Sequence, residues 1–178
     1  MIVCAGDIEQ FSFATPIGVG LINSAINLTK ICLLNPPEFI FFVGTAGSYG
    51  KHKIFDIVES RVASNIEHSF LNREAYTPID NVVSSSTAVS RETIINCSNY
   101  ITTSKERSEE FLKLGLELEN MEFYSVISVA KEFNIPVGGA FIVTNYCNSS
   151  AHKDFIKNHS RAKELLEEYL KSKGIVKY

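Results

Sequence analysis

Apolar residues fall in short blocks separated by glycine, proline and polar punctuation, and the length of each block sets the element expected there. Residues 2–5 (IVCA) and 39–43 (FIFFV) are unbroken apolar runs. Such runs are too short for helices and read as strands buried on both faces. Residues 6–9 form a turn, followed by a mixed apolar segment. Gly18-Val-Gly20 opens a helix to about residue 34, with Ile22, Ala25, Ile26 and Leu33 on or near one face. Asn35-Pro-Pro37 stops it, because proline removes a donor and pushes its predecessor out of helical space. Residues 53–58 (KIFDIV) read as a turn into a strand, continuing through Val62 to Ile66. Residues 67–81 are polar and irregular.

Val82-Val83 and Ile94-Ile95 read as strand pieces, separated by a loop at 84–87. Thr103-Ser-Lys-Glu106 fits a capping box opening a short helix that ends near Gly115. A longer helix is expected from about 120 to 133, closed by Asn134-Ile-Pro136, then a buried strand at 137–143. The last helix is expected over 151–173, with Phe155, Ala162, Leu166 and Tyr169 as its apolar stripe. Strands alternate with helices, and no repeat or linker interrupts them. The expected fold is therefore α/β, a single domain with a mixed central sheet flanked by helices.

Composition narrows the function. The 178 residues are 45% hydrophobic and 21% charged, ordinary for a globular chain long enough to bury a core. A formal net charge of −3 offers no basic nucleic-acid face. No apolar run approaches the roughly 18 residues that span a bilayer, and the N-terminus lacks the positive flank of a signal peptide. Cys4, Cys32, Cys97 and Cys147 form no CxxC pair and read as reduced, mostly buried thiols. No histidine pair has metal-ligand spacing. The expectation is a cytoplasmic protein with no metal, no cofactor, and neither nucleic acid nor membrane as partner.

Candidate chemistry lies in three segments. Gly44, Gly47 and Gly50 follow the 39–43 strand, with hydroxyls at Thr45 and Ser48. Glycines after a buried strand let backbone N–H groups approach a ligand, and ligands bind at carboxyl ends of strands in open α/β sheets. The second segment is Glu119-Asn-Met-Glu122 and the third is Thr144-Asn-Tyr146.

These segments, in this order, resemble the purine nucleoside phosphorylase and nucleosidase superfamily, with a pattern nearest to 5'-methylthioadenosine/S-adenosylhomocysteine nucleosidase and futalosine hydrolase. Gly18-Val-Gly20, Val43-Gly-Thr-Ala-Gly47, residues 53–58 and Glu119-Asn-Met-Glu122 match its sequence of motifs. The resemblance implies that Glu122 accepts the ribose 2'- and 3'-hydroxyls over Met121. It places Tyr100 where an aromatic stacks on the base, and puts Thr45, Ala46 and Gly47 at the nucleoside. Glu9 falls at the spacing of a water-activating glutamate. Read without the resemblance, Glu122 is a first-turn helix carboxylate favoured by the macrodipole, and Glu9 a solvated loop carboxylate.

Asn145 stands where the family's proton-donating aspartate is expected. An amide cannot act as a general acid, but it can hold a ring nitrogen and a 6-oxo group. The resemblance thus leans towards 6-oxopurine nucleosides. Asn120 replaces the first glutamate of the family's motif, and only about a dozen residues separate Ala5 from Gly18, where relatives carry more strands. Phe42 stands where phosphate-using relatives carry arginine, and Arg61, Arg73 and Arg91 lie elsewhere, which favours water over phosphate. The expected partner is a purine nucleoside, with phosphate as the alternative co-substrate, and the expected assembly a homodimer or higher homo-oligomer sharing its sites through residues 67–81. The other two readings are a phosphorylase and a catalytically silent nucleoside-binding or assembly protein.

Overall fold

The structure, a computed structural model, describes residues 1–85 and 92–176. Residues 86 and 87 of the loop expected at 84–87, and Arg91, lie outside the described residues.

The sheet is organised around β3 (Ile40–Ser48), buried along nearly its whole length. On one edge β9 (Val137–Tyr146) runs parallel to it from Ile40↔Val137 to Ser48↔Tyr146. Its other edge is shared. The first half takes β1 (Ile2–Cys4) in parallel, and the second half takes β8 (Leu116–Asn120) antiparallel, with Gly47 opposite Glu119. A two-residue strand, β2 (Thr15–Pro16), adds outside β1.

Beyond β9 lies β4 (Ile57–Ser60), antiparallel to it. Only Arg61 separates β4 from β5 (Val62–Ser64), yet β5 pairs with β6 (Val82–Ser84) and β7 (Ile94–Cys97), and β7 pairs with β8. The sheet therefore curls round on itself, from β9 through β3, β8, β7 and β5 and back through β4. This is the expected mixed sheet, and the single strand foreseen over 57–66 is two, bent at Arg61 so that its halves serve opposite ends of the curl.

Helices cover both faces. Against one side pack α1 (Leu21–Leu34) and α4 (Phe123–Glu132), in a core holding Leu28, Phe42, Phe123, Ile127 and Phe141. The Phe123 and Phe141 rings meet edge to face at 4.9 Å. Against the other side packs α5 (Ala151–Ser172), with Ala162, Leu166 and Leu170 against Val43, Ala140 and Ile142. Two short helices, α2 (His68–Leu71) and α3 (Lys105–Lys113), complete the chain.

Several expectations are corrected. The glycine segment after residue 43 is not a loop. Strand β3 continues to Ser48, because β8 and β9 pair with it there, and a bulge between Ala46 and Gly47 absorbs the irregularity. Strand β8 was not expected. Leu116 and Leu118 are buried in alternation, while their neighbours are glutamates that mask the apolar signal. Because β8 occupies 116–120, α4 begins at Phe123 and not near 120.

The cap of α3 is Ser104, whose Oγ accepts the Arg107 N–H at 3.3 Å, one residue after the threonine expected. On α1 the buried residues are Ser24, Leu28 and Cys32, whereas Ile22, Ile26 and Leu33 are exposed. The apolar face read from the sequence points outward. On α5 the fully buried residues are Ala151, Ala162, Leu166 and Leu170, with Phe155 and Tyr169 half-buried at the margin. All four cysteines are buried and unbridged, as expected.

Candidate active site

The carboxyl ends of β3 and β9, the turn after β1 and the start of α4 surround a cavity of about 290 Å³. Its floor is a row across three strands, with Gly47 on β3 facing Glu119 on β8 and Asn145 on β9. A side chain at Gly47 would put Cβ 2.7 Å from the Cys147 Sγ and 3.1 Å from the Asn145 Nδ2. Glycine is required here by crowding between strands.

The turn after β1 delivers Glu9. Gly6 and Asp7 both have positive φ, 91° and 55°, and the Glu9 N–H closes the turn on the Gly6 carbonyl at 3.0 Å. The chain thereby doubles back over β3. The Thr45 hydroxyl donates to Glu9 Oε1, and the Thr45 N–H approaches Oε2 at 3.5 Å. Burial pushes the Glu9 pKa up, and the two Thr45 bonds oppose that rise.

The segment 119–122 delivers the second carboxylate. Asn120 Oδ1 accepts the N–H groups of Glu122 and Phe123 at 2.8 and 2.9 Å, capping α4 from outside, while its Nδ2 donates to the Thr45 carbonyl at 3.2 Å. The asparagine that departs from the family motif thus ties the start of α4 to β3. Glu122, 3% exposed, accepts the Gly20 N–H at 2.9 Å. Its pKa is raised from 4.5 to about 8, first by burial and then by the charge of Glu9. Met121 lies beside it on the cavity wall.

At the far end of the row, the Thr144 hydroxyl donates to Asn145 Oδ1 at 2.9 Å. The Tyr146 carbonyl, which can only accept, assigns the ends of the amide by taking Nδ2 at 3.2 Å, and Nδ2 is the group beside Gly47. Glu119 is held by the Thr102 N–H at 2.9 Å, the Thr102 hydroxyl and the Tyr49 hydroxyl at 3.0 Å, and burial raises its pKa.

Glu9, Thr45, Ala46, Gly47, Met121, Glu122 and Asn145 therefore meet at one cavity. Tyr100 does not join them. It is 74% exposed, and its neighbour Ile101 lines the cavity instead. Sequence reasoning passed over Glu119, although it lay inside a quoted motif, and also Phe155 and His152, which the first turns of α5 bring to the rim. None of residues 67–81 reaches this cavity. Phe70 and Tyr76 line a separate hollow of about 200 Å³. Among the described residues, no cluster of histidine, cysteine and carboxylate side chains could hold a metal ion, and no helix is long and apolar enough to cross a membrane.

The family model described as the phosphorylase superfamily matches residues 2–172, and the chain belongs to that superfamily of enzymes. No curated protein matches the chain. Solved structures share its fold at low identity. A futalosine hydrolase mutant of Helicobacter pylori is 18% identical at a TM-score of 0.78, over 96% of each chain. A mutant 5'-methylthioadenosine/S-adenosylhomocysteine nucleosidase of the same organism, holding 5'-methylthioadenosine, is 19% identical at 0.76, over 89% of this chain and 78% of that one. The Streptococcus pneumoniae nucleosidase with a transition-state inhibitor is 12% identical at 0.75, over 95% of each.

The raised pKa of Glu122 has a measurable sign. A carboxyl that binds its proton more tightly when folded contributes stability that is full below its unfolded value of 4.5 and is lost as pH rises through about 8. Glu122→Gln removes this term while keeping an oxygen for the Gly20 N–H. Urea unfolding across that pH range is expected to show a flatter decline for the variant, which becomes the more stable protein at the alkaline end. Parallel declines would contradict the placement of Glu122 in a dry site.

Proposed function

We propose that the protein is a nucleosidase: it binds a purine nucleoside in this cavity and hydrolyses the N-ribosidic bond, with preference for a 6-oxopurine base. The observation that carries the hydrolytic reading is the absence of a cation from the wall. Asp7, Glu9, Glu119 and Glu122 line the cavity, and no lysine or arginine among the described residues does. Such a wall offers no countercharge to a phosphate dianion, which phosphoryl-binding sites grip with bidentate guanidinium groups. Arg61 is committed to Glu92 on the surface, and Arg73 is exposed. Water is the nucleophile this wall admits.

In this reading Glu122 accepts the two ribose hydroxyls. Met121 packs under the sugar as an adaptable apolar surface. Glu9, steadied by Thr45, takes a proton from the attacking water. As the C–N bond breaks, its electron pair moves onto the base, and the amide of Asn145 stabilises that charge by donating a hydrogen bond. Because the Tyr146 carbonyl fixes the donor end of the amide beside Gly47, Asn145 offers an N–H to an acceptor. A 6-oxo group and the imidazole-ring nitrogen on the same edge of the base both accept, whereas a 6-amino group would meet it donor to donor. The named nucleosidase neighbours include one holding 5'-methylthioadenosine, so an adenine-type substrate is the competing outcome.

Turnover of a purine nucleoside panel, with and without phosphate, tests this directly. Inosine-like substrates or futalosine are expected to yield free base and free ribose at rates independent of phosphate, and Asn145→Asp is expected to move preference towards 6-aminopurines. Ribose 1-phosphate as product would make the protein a phosphorylase. A clear preference of the unaltered protein for adenine nucleosides would reject the base assignment.

We also infer a homodimer. Ile22, Ile26, Leu33 and Leu34 form an exposed stripe on α1, and Phe70, Tyr76 and Ile79 are exposed in the 67–81 segment. Apolar surface of this extent, rich in aliphatic and aromatic residues, marks an interface. Light scattering at micromolar concentration is expected to give about twice the 19.8 kDa chain mass. The single-chain mass would reject the dimer and with it a shared site.

A further inference from the structure

One side of α5 follows the turn that carries Glu9. Ala151 and Phe155 line the cavity. The next turn carries His159, whose ring lies 5.2 Å from that of Phe155. One turn further, Lys163 reaches the Ile8 carbonyl at 3.3 Å and sits 5.3 Å over the Phe11 ring. Residues four apart share a helix face, so 155, 159 and 163 form one row along residues 8–11. The rotation of α5 is fixed by Asn158, which donates to the Thr144 carbonyl at 2.8 Å, and by the burial of Ala162 and Leu166.

His159 has no structural partner that accounts for it. Among the described residues its Nε2 is the only buried side-chain nitrogen or oxygen that no protein group hydrogen-bonds. Leaving such an atom unpaired is costly, and buried polar atoms without protein partners point to a bound water or a catalytic role. Phe155 shares the cavity with Glu9 and Lys163 reaches the Ile8 carbonyl, so His159, between them on the row, lies beside the turn that carries Glu9, and charge on His159 and Lys163 favours the ionised form of Glu9. The protein donors that Glu9 accepts from are those of Thr45, so a link to His159 runs through water.

We propose that His159 is a positioning residue for Glu9: through one bridging water its Nε2 orders the carboxylate and receives the proton that Glu9 removes from the nucleophile. The role in turnover rests on the nucleosidase reading. In the chemical step the attacking water gives one proton to Glu9 while its oxygen bonds to the anomeric carbon. The C–N bond breaks, and its electron pair leaves with the base, which takes its own proton from solvent. The proton on Glu9 then passes through the bridging water to neutral His159 and on to solvent, which restores Glu9. The titratable groups around this pair are Cys4 on β1, Asp7 on the turn, Glu119 on β8, Glu122 across the cavity, and His152 and Lys163 on α5.

The coupling is read without any substrate by following the Glu9 carboxyl carbon in an NMR pH titration. Opposite charges at short range move a pKa by about one unit or more. His159→Gln is expected to raise the Glu9 midpoint by about that much. If that variant does not fold, His159→Asn is expected to raise the Glu9 midpoint by a similar amount. In turnover, His159→Gln is expected to move the acidic limb of the pH profile upward and lower kcat about tenfold, with KM unchanged. That is a fraction of the 10²–10⁴ a general base contributes. Midpoints that do not move in a folded variant would overturn the proposal. Coupled midpoints in a protein that cleaves no nucleoside would support the coupling and overturn the assigned reaction.

Discussion

Two carboxylates held out of bulk water around one cavity are the constraint on which the site depends. Glu9 comes from the turn after β1 and Glu122 from the segment that opens α4, and among the described residues neither has a cation in hydrogen-bond contact. The fold offsets their desolvation with aimed backbone and hydroxyl donors, the Thr45 pair at Glu9 and the Gly20 N–H at Glu122. Each donor sits where it does for an architectural reason. Thr45 lies on β3, which is paired with β9 on one edge and with β1 and β8 on the other, and Gly20 immediately precedes α1, which packs against the helix that Glu122 begins. Loss of either packing arrangement would leave a buried carboxyl group without its donor, which is more damaging than the loss of an ordinary core contact.

The cavity itself exists because β3 carries glycine where three strands crowd together. Gly44 and Gly47 leave the room into which Glu9, Asn145 and Cys147 project. The bulge between Ala46 and Gly47 re-aims the strand end, a frequent device beside active sites. Packing and chemistry therefore use the same residues, and a side chain added at Gly47 would disturb both.

Much of this was legible in the chain. Long elements with clear stops, α1 before Asn35-Pro-Pro37 and α5 after Ser150, were readable because punctuation and periodicity agree there. The glycine-rich stretch was identified as site-forming, and seven of the eight candidate residues meet at the cavity. What was hidden depends on tertiary pairing. Strand β8 carries glutamates at Glu117 and Glu119, one tied to Lys51 and His52 and the other sealed by Thr102 and Tyr49, and those partners lie far away in sequence. The outward turn of the Ile22 and Ile26 face is equally invisible locally, because a helix with apolar residues on two sides gives no indication of which side meets the sheet. Tyr100 was misplaced by one residue in effect, since the chain after β7 presents Ile101 to the cavity and turns Tyr100 to solvent.

The central claim is that Glu122 is kept in a dry, donor-lined position to receive a ribose diol. Calorimetric titration of inosine into the unaltered protein and into Glu122→Gln, at a pH above the Glu122 midpoint of about 8 so that the carboxylate is ionised, tests it most directly. A carboxylate bonded to two hydroxyls loses about 1.5–3 kcal/mol when its charge is removed, so affinity is expected to fall roughly 10- to 150-fold. Equal affinities in two folded proteins would leave Glu122 a structural residue at the start of α4 and contradict the account.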